Sequence, residues 1–279
     1  MKLGIQQTAL GRLPFREACQ LAGDVGAHGI GLCYPGAENI DLLRSLGYAY
    51  QLADMAAQHR LRLCNLHLGY LCGAPFLVSA TALLPWAKDI IRSATEVAAK
   101  ALVPVVVLPF YGNNRIGFSD EFHLAAKTLR EVANRADDLG VTIAVQSDLS
   151  GSQTRELLRQ VDHRSVKICL DTGSTFAYGF DPAAFIQDLG AEAIVQVHLK
   201  DVRLPDGRTP DFNVRLGQGD ADCVAVIQTL RAGGFEGWLV LDTPRADTPE
   251  ADVKMHMNDL RRLLDQASEQ AGETPGMTS

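Results

Sequence analysis

At 279 residues, 47% hydrophobic and 21% charged, the chain is long enough to bury a large core without disulfides or a structural metal. Its 26 basic and 33 acidic side chains give a formal net charge of −7 with no densely basic stretch, which argues against a partner held by phosphate neutralisation, nucleic acid above all. No run reaches the ~20 apolar residues of a membrane span, no secretory leader precedes the first apolar segment, and the six cysteines lack a CxxC pair, so they read as buried thiols of a cytoplasmic protein.

From the N-terminus, short apolar runs alternate with amphipathic segments. A strand over residues 3–6 is followed by a helix over 15–26 that stops at Gly26, then a strand over 29–33 and a helix over 40–59. A strand over 61–66 leads to a helix over 80–100, and a strand over 103–108 to a helix over 119–139 that opens on Ser-Asp-Glu and ends at Gly140. Strands over 142–146 and 167–170 flank a helix over 152–161, and Asp181-Pro182 caps a helix over 182–189. Strands over 194–199 and 238–241 flank a helix over 220–232. Thr248-Pro249 opens a last helix to about 267. Residues 1–268 then form one domain, and the polar stretch 269–279 reads as a disordered tail.

Most of these strands are continuously apolar, as in a parallel sheet covered on both faces. Eight βα units in a chain of this size predict an α/β fold, a (β/α)8 TIM barrel. An open doubly wound sheet would carry a glycine-rich phosphate loop after the first strand. The segment Gln6-Gln7-Thr8-Ala9-Leu10-Gly11-Arg12 is not one.

Chemistry in such a barrel sits at the C-terminal strand ends. Strands 5 to 8 end at Gln146, Asp171, His198 and Asp242, and adjacent strands bring such ends together. That mix of oxygen and imidazole suits Mn²⁺, Mg²⁺ or Co²⁺; a hydrogen-bonded polar plug is the alternative. His67 and Tyr111, after strands 3 and 4, are candidate substrate contacts, as are Lys200 and Arg203 after strand 7; Tyr34 and Phe110 are candidate stacking surfaces, and Asp148 a candidate replacement carboxylate.

Val166-Lys-Ile-Cys-Leu-Asp171-Thr-Gly, Gly179-Phe-Asp-Pro182, Val197-His198-Leu-Lys200-Asp201, Leu216-Gly-Gln-Gly219-Asp220 and the stretch from Gly234 to Asp242 carry a resemblance. They resemble the xylose isomerase-like barrels, the sugar phosphate isomerases and epimerases that include ketose 3-epimerases. The resemblance implies a divalent cation, Mn²⁺ first and Mg²⁺ or Co²⁺ next, held by Gln146, Asp171, His198 and Asp242. It also implies a small sugar or sugar phosphate substrate, with Lys200 in the matching motif and Ser174 at the position that follows the strand-6 Asp; His67, Tyr111 and Arg203 remain candidate contacts from their places after the strands, and Arg203 does not align with the motif. Related barrels are often dimers or tetramers, so a homo-oligomer is in range without an assignable interface.

Three positions depart from the family pattern: Gln146 and Asp242 stand where the family has Glu, and Ser174 where it has His. Gln carries no charge and is no base at neutral pH. The catalytic positions are then Asp242 and Gln146, with Asp242 the one proton-transfer group, which fits isomerisation or β-elimination better than two-base epimerisation. The expectation is a metal-dependent isomerase or epimerase. The alternatives are a lyase, or a sugar-binding member that has lost catalysis. A nuclease of the related fold would need more ligands and a basic groove.

Overall fold

The structure, a computed structural model, describes residues 1–34, 43, 45–73, 77–78, 82–83, 85–117, 120–243 and 249–270. Eight strands form the barrel: β1 (Lys2–Gln6), β2 (Gly29–Cys33), β3 (Arg62–His67), β4 (Val105–Phe110), β5 (Thr142–Ser147), β6 (Val166–Asp171), β7 (Ile194–Leu199) and β8 (Trp238–Leu241). All pair in parallel, and β1 closes the ring against both β2 and β8. The predicted single-domain (β/α)8 barrel is the observed fold.

Around the barrel run α1 (Phe15–Asp24), α2 (Leu46–Gln58), α3 (Tyr70–Gly73), α4 (Pro85–Lys100), α5 (Asp120–Asp138), α6 (Gly151–Val161), α7 (Thr172–Ala177), α8 (Pro182–Leu189), α9 (Cys223–Ala232) and α10 (Pro249–Gln270). Several helix starts are fixed by side chains that accept orphan amide hydrogens, each contributing about 1 kcal/mol. Ser150 and Gln153 make a reciprocal capping box at α6, Asp181 accepts from Ala183 and Ala184 before Pro182, and Asp222 accepts from Ala225.

Some boundaries differ from the sequence expectation. The helix expected over 40–59 is described from Leu46, capped by Ser45; residues 40–42 and 44 lie outside the described ones. The helix expected from 80 begins at Pro85, and Ala82–Leu83 instead pair antiparallel with Leu77–Val78. Proline at a first helical position biases the chain before it toward extended conformations. The helix expected from 220 begins at Cys223, after the Asp222 cap. α10 runs through Glu269 to Gln270, beyond the predicted stop; Ser119, Thr248 and residues 271–279 lie outside the described residues.

The main core lies between barrel and helices, and two small apolar clusters fill the barrel itself: Val105, Val107, Ala144 and Cys169, and Cys64, Trp238 and Val240. A buried polar tier of Gln6, Asn65 and Gln196 accompanies them. Asn65 Nδ2 donates to Gln6 Oε1 at 3.0 Å, and Gln6 Nε2 donates to the Leu32 carbonyl at 3.2 Å. The register slips once between β2 and β3, between Ile30 and Gly31, and once between β6 and β7, between Ile168 and Cys169. Such bulges re-aim the residues beyond them, here Asn65 and His67 on β3 and Gln196 and His198 on β7.

Gly31 is required by this tier. A Cβ there would stand 2.2 Å from Gln6 Oε1 and 2.5 Å from Asn65 Nδ2. Gly31→Ala should therefore break a buried hydrogen bond and lower the unfolding free energy by about 2–3 kcal/mol. Gly47→Ala in α2, whose added Cβ meets only Ser45 Oγ at 3.7 Å, should be neutral or slightly stabilising. Urea unfolding of the two variants checks the contrast; equal stability would reject the packing argument.

Candidate active site

A cavity of about 330 Å³ opens at the C-terminal mouth of the barrel. Gln146, Asp171, His198, Asp242, His67, Ser174, Lys200 and Tyr111, all singled out from the sequence, line it. Arg203 does not. It is exposed, bridges Asp211 through its backbone, and donates from its guanidinium to the Gln218 carbonyl. Asp148 is also turned away, with its carboxylate ion-paired to Arg115. Burial pushes that carboxyl up, and Arg115 only partly offsets the push. Phe110 is fully buried in the core and Tyr34 packs edge-on against Tyr70, so neither lines the cavity.

Asp171, His198 and Asp242 each offer a ligand atom, and the three atoms lie within 4.8 Å of one another. His198 Nδ1 is buried, has no hydrogen-bond partner among the described residues, and faces Asp242 Oδ2 at 3.6 Å. On the far side of the ring, Gln196 Nε2 lies 2.6 Å from His198 Nε2, while Gln196 Oε1 has no hydrogen-bond partner among the described residues. Turning the amide over lets Oε1 accept the Nε2 hydrogen, so Nδ1 faces the carboxylates carrying the proton that Asp242 holds there, and loss of that proton leaves its lone pair directed at them. That is the tautomer a metal-binding imidazole needs, set by the bond at its other nitrogen.

Asp171 has two tasks. Its Oδ1 accepts from the Ser174 amide at 2.8 Å and so caps α7. Its Oδ2 accepts from Gln146 Nε2 at 3.1 Å and faces Lys200 Nζ at 3.6 Å. Lys200 also lies 4.7 Å over the Phe212 ring. Asp171 holds the Lys200 ammonium above its ordinary pKa despite burial. Asp242 Oδ1 accepts from the Thr8 hydroxyl at 3.1 Å. Burial alone would raise the Asp242 carboxyl, but His198 and Lys200 outweigh it and hold it well below the usual range.

Gln146, expected as a fourth ligand, sits beside these groups with its amide committed at both ends. Its Nε2 donates to Asp171, and its Oε1 lies 3.1 Å from His67 Nε2. An amide oxygen accepts only, so His67 carries its hydrogen on Nε2 and presents a bare Nδ1. That Nδ1 faces Cys33 Sγ at 4.0 Å. Burial first, then the neighbouring His198, lowers the His67 pKa to about 4, so its ring is neutral at pH 7. Tyr111 accepts from the Cys72 thiol at 3.3 Å, and burial pushes its phenol up, which keeps a neutral hydroxyl at the wall.

Sequence reasoning missed Cys33, Thr8, Tyr178 and Phe212, which also line the cavity. Cys33 ends β2, as the sequence places it, but its register with His67 on β3, which gives the thiol a partner, has no signal in the sequence. Thr8 lies on the single helical turn Gln7–Leu10 after β1, and Tyr178 ends α7. Phe212 reaches the mouth through a loop clamped by the Arg203–Asp211 bridge, which leaves no local sequence signal. Asp201 shapes the rest of that loop, accepting from the Val202, Gly217, Gly219 and Ala221 amides.

The low His67 pKa fixes a sign for stability against pH. The unfolded ring titrates at an ordinary value near 6.5 and the folded one at about 4, so between them the unfolded state binds more protons. Its contribution is whole above pH 6.5 and falls as the pH drops toward 4. Relative to His67→Asn, the wild type should lose about 2.5 kcal/mol between pH 7 and pH 4.5, read by denaturant unfolding at both pH values. A constant gap would show that His67 titrates alike in the folded and unfolded states.

Residues 19–263 match the family described as the xylose isomerase-like TIM barrel. A 2-epi-5-epi-valiolone 7-phosphate 2-epimerase of Actinoplanes sp. is 27% identical over 90% of this chain and 91% of its own length. Shorter matches reach a probable endonuclease 4 of Haloarcula marismortui, 27% identical over 61% of this chain and 66% of that protein, and an inosose dehydratase of Geobacillus thermodenitrificans, 26% over 48% and 51%. Among solved structures, an IOLI protein with a binding zinc atom superposes with a TM-score of 0.79 at 18% identity, covering 96% of this chain and 99% of that one. The barrel, the strand-end polar cluster and the match along most of the sequence agree: this chain belongs to the xylose isomerase-like TIM barrel family.

Proposed function

We propose that this chain is a divalent-metal-dependent isomerase or epimerase acting on a small keto sugar, polyol or sugar phosphate, with Asp242 as the group that moves the proton. The observation that carries the reading is the convergence of Asp171, His198 and Asp242 on one cavity, with a buried imidazole nitrogen that has no hydrogen-bond partner among the described residues. Two carboxylates and one imidazole fit a divalent cation, Mn²⁺ first and Mg²⁺, Co²⁺ or Zn²⁺ next. Family membership, and relatives named as an epimerase and a dehydratase, support the same class.

When bound, such an ion would polarise a substrate carbonyl or hydroxyl and acidify the neighbouring C–H. Asp171, His198 and Asp242 would hold it. The chain's own groups supply the rest. Asp242 is ionised at neutral pH; the Thr8 hydroxyl holds one of its oxygens, and the other faces His198 Nδ1. Lys200 and Tyr111 offer donors to substrate oxygens, and Phe212 gives an apolar wall beside the Lys200 ammonium. The same site supports β-elimination as a second reading. Its favouring observation is Gln146, which puts an uncharged amide where the family pattern has a second carboxylate.

Protein purified with Mn²⁺ should retain about one ion per chain. Asp171→Ala or His198→Ala should lose it. Assayed against ketoses, ketose phosphates and inososes, Asp242→Asn should lower turnover by at least ~100-fold. Undiminished turnover would reject the role of Asp242. An unsaturated product would select elimination, and failure to retain any ion would favour a metal-free sugar-binding protein.

A further inference from the structure

From the side of the cavity formed by β2 and β3, a thiol, an imidazole and an amide stand in line. Cys33 and His67 are register partners across the two strands, and Cys33 Sγ lies 4.0 Å from His67 Nδ1. His67 Nε2 lies 3.1 Å from Gln146 Oε1, and Gln146 in turn donates to Asp171. A thiol, an imidazole that accepts its hydrogen and an amide that orients the ring is an arrangement built to move a proton at sulfur.

Room for the pair comes from Gly69, where a Cβ would stand 3.1 Å from Cys33 Sγ and 3.4 Å from His67 Nδ1. Cys33 is half-buried and lines the cavity, whereas Cys19, Cys64, Cys169 and Cys223 are buried. Asp242 enters the same cavity from β8, with β1 between it and β2.

We propose that the Cys33 thiol is the second proton-transfer group of this site, a catalytic residue in the place left by the uncharged Gln146, with His67 as its positioning residue. The proposal rests on the reading of the cavity as a proton-transfer site and narrows it toward epimerisation. Asp242 takes the proton from the substrate carbon, and the electron pair stays on the substrate as an enolate. The Cys33 S–H bond breaks, its proton goes to the other face of that carbon, and a thiolate remains. The thiolate is reprotonated, and Asp242 deprotonated, by exchange with water, so the protein returns to its starting state with one stereocentre inverted.

Two measurements test this, and they fail independently. The first needs no substrate: alkylation of each cysteine by iodoacetamide across pH 5 to 9, followed by peptide mass spectrometry. In the wild type Cys33, a thiol beside a neutral imidazole, should react slowly at pH 7 and faster as the pH rises, because thiolate character governs the rate. Gln146→Glu, whose carboxylate stabilises the His67 imidazolium, should raise the Cys33 rate and shift its profile to lower pH. His67→Gln should lower the rate. A Cys33 profile that moves with neither variant overturns the relay.

The second follows L-ribulose, D-fructose and an inosose in D₂O. Wild type should invert the carbon and incorporate deuterium. Cys33→Ala and Cys33→Ser should keep deuterium exchange through Asp242 but lose inversion by at least ~100-fold. Inversion at the wild-type rate in either folded variant overturns the catalytic role. If wild type turns over none of the sugars, the proposed function fails for them, while the alkylation profiles still decide the relay.

Discussion

The site depends on an amide having one donating end and one accepting end. Gln146 lies between Asp171 and His67, and only one orientation satisfies both neighbours. Its NH₂ must face the carboxylate, so its oxygen must face the ring. The ring then carries its hydrogen on Nε2, and its bare nitrogen points to Cys33. A glutamate at the same place would accept at both ends. It would set a second negative charge against Asp171, and that pair would call for a cation between them. One atom in the strand-5 side chain thus shifts the charge of the site and fixes the tautomer of a histidine two strands away.

Asp171 bears the other half of this constraint. It caps α7, accepts from Gln146 and neutralises Lys200 with one carboxylate. Nearly all of its lone-pair directions are in use, so a bound cation would compete with the Gln146 amide and not with the helix cap. Removing the charge would free an amide at α7, unpair the Lys200 ammonium and release Gln146 together. Groups that share one hydrogen-bond network do not respond additively. The strands make such a network affordable to hold in place, because their backbones are fixed by parallel neighbours on both sides and by bulges that aim His67 and His198 inward.

The fold was legible almost whole. Eight apolar runs separated by amphipathic segments admit few arrangements, and the strand cores at 142–146, 194–199 and 238–241 are where the pattern put them. Most of the site was legible too, because a barrel places strand ends at its mouth, and a polar residue ending an apolar run is visible in one dimension. What stayed hidden depends on contacts far apart in sequence. Arg203 looked like a pocket cation from its neighbour Lys200, yet the loop bridge with Asp211 turns it toward Gln218. Phe212 gains its place from that same bridge. Asp171 read as a ligand alone, although the Asp-Thr-Gly-Ser sequence also starts a helix. Cys33 read as one of six buried thiols, since a thiol at the end of a strand shows its partner only when β2 and β3 are aligned.

The two histidines of the cavity show how far position overrides chemical type. Their ring centroids are 6.1 Å apart, yet their proton affinities move in opposite directions. Burial dominates at His67, which faces an amide and a thiol, and its pKa falls to about 4. Burial acts on His198 as well, but Cys169 and Asp242 outweigh it and raise its pKa well above the ordinary value. A cation entering beside Asp242 must therefore displace a proton from His198 and none from His67. Metal affinity and proton affinity compete at one ring only. The other stays neutral with or without the ion, and its Nδ1 remains an acceptor for Cys33. Charge held on the β7–β8 side and neutrality held on the β2–β3 side give the cavity two chemically different walls, which is what a reaction that removes a proton from one face of a carbon and returns it to the other requires.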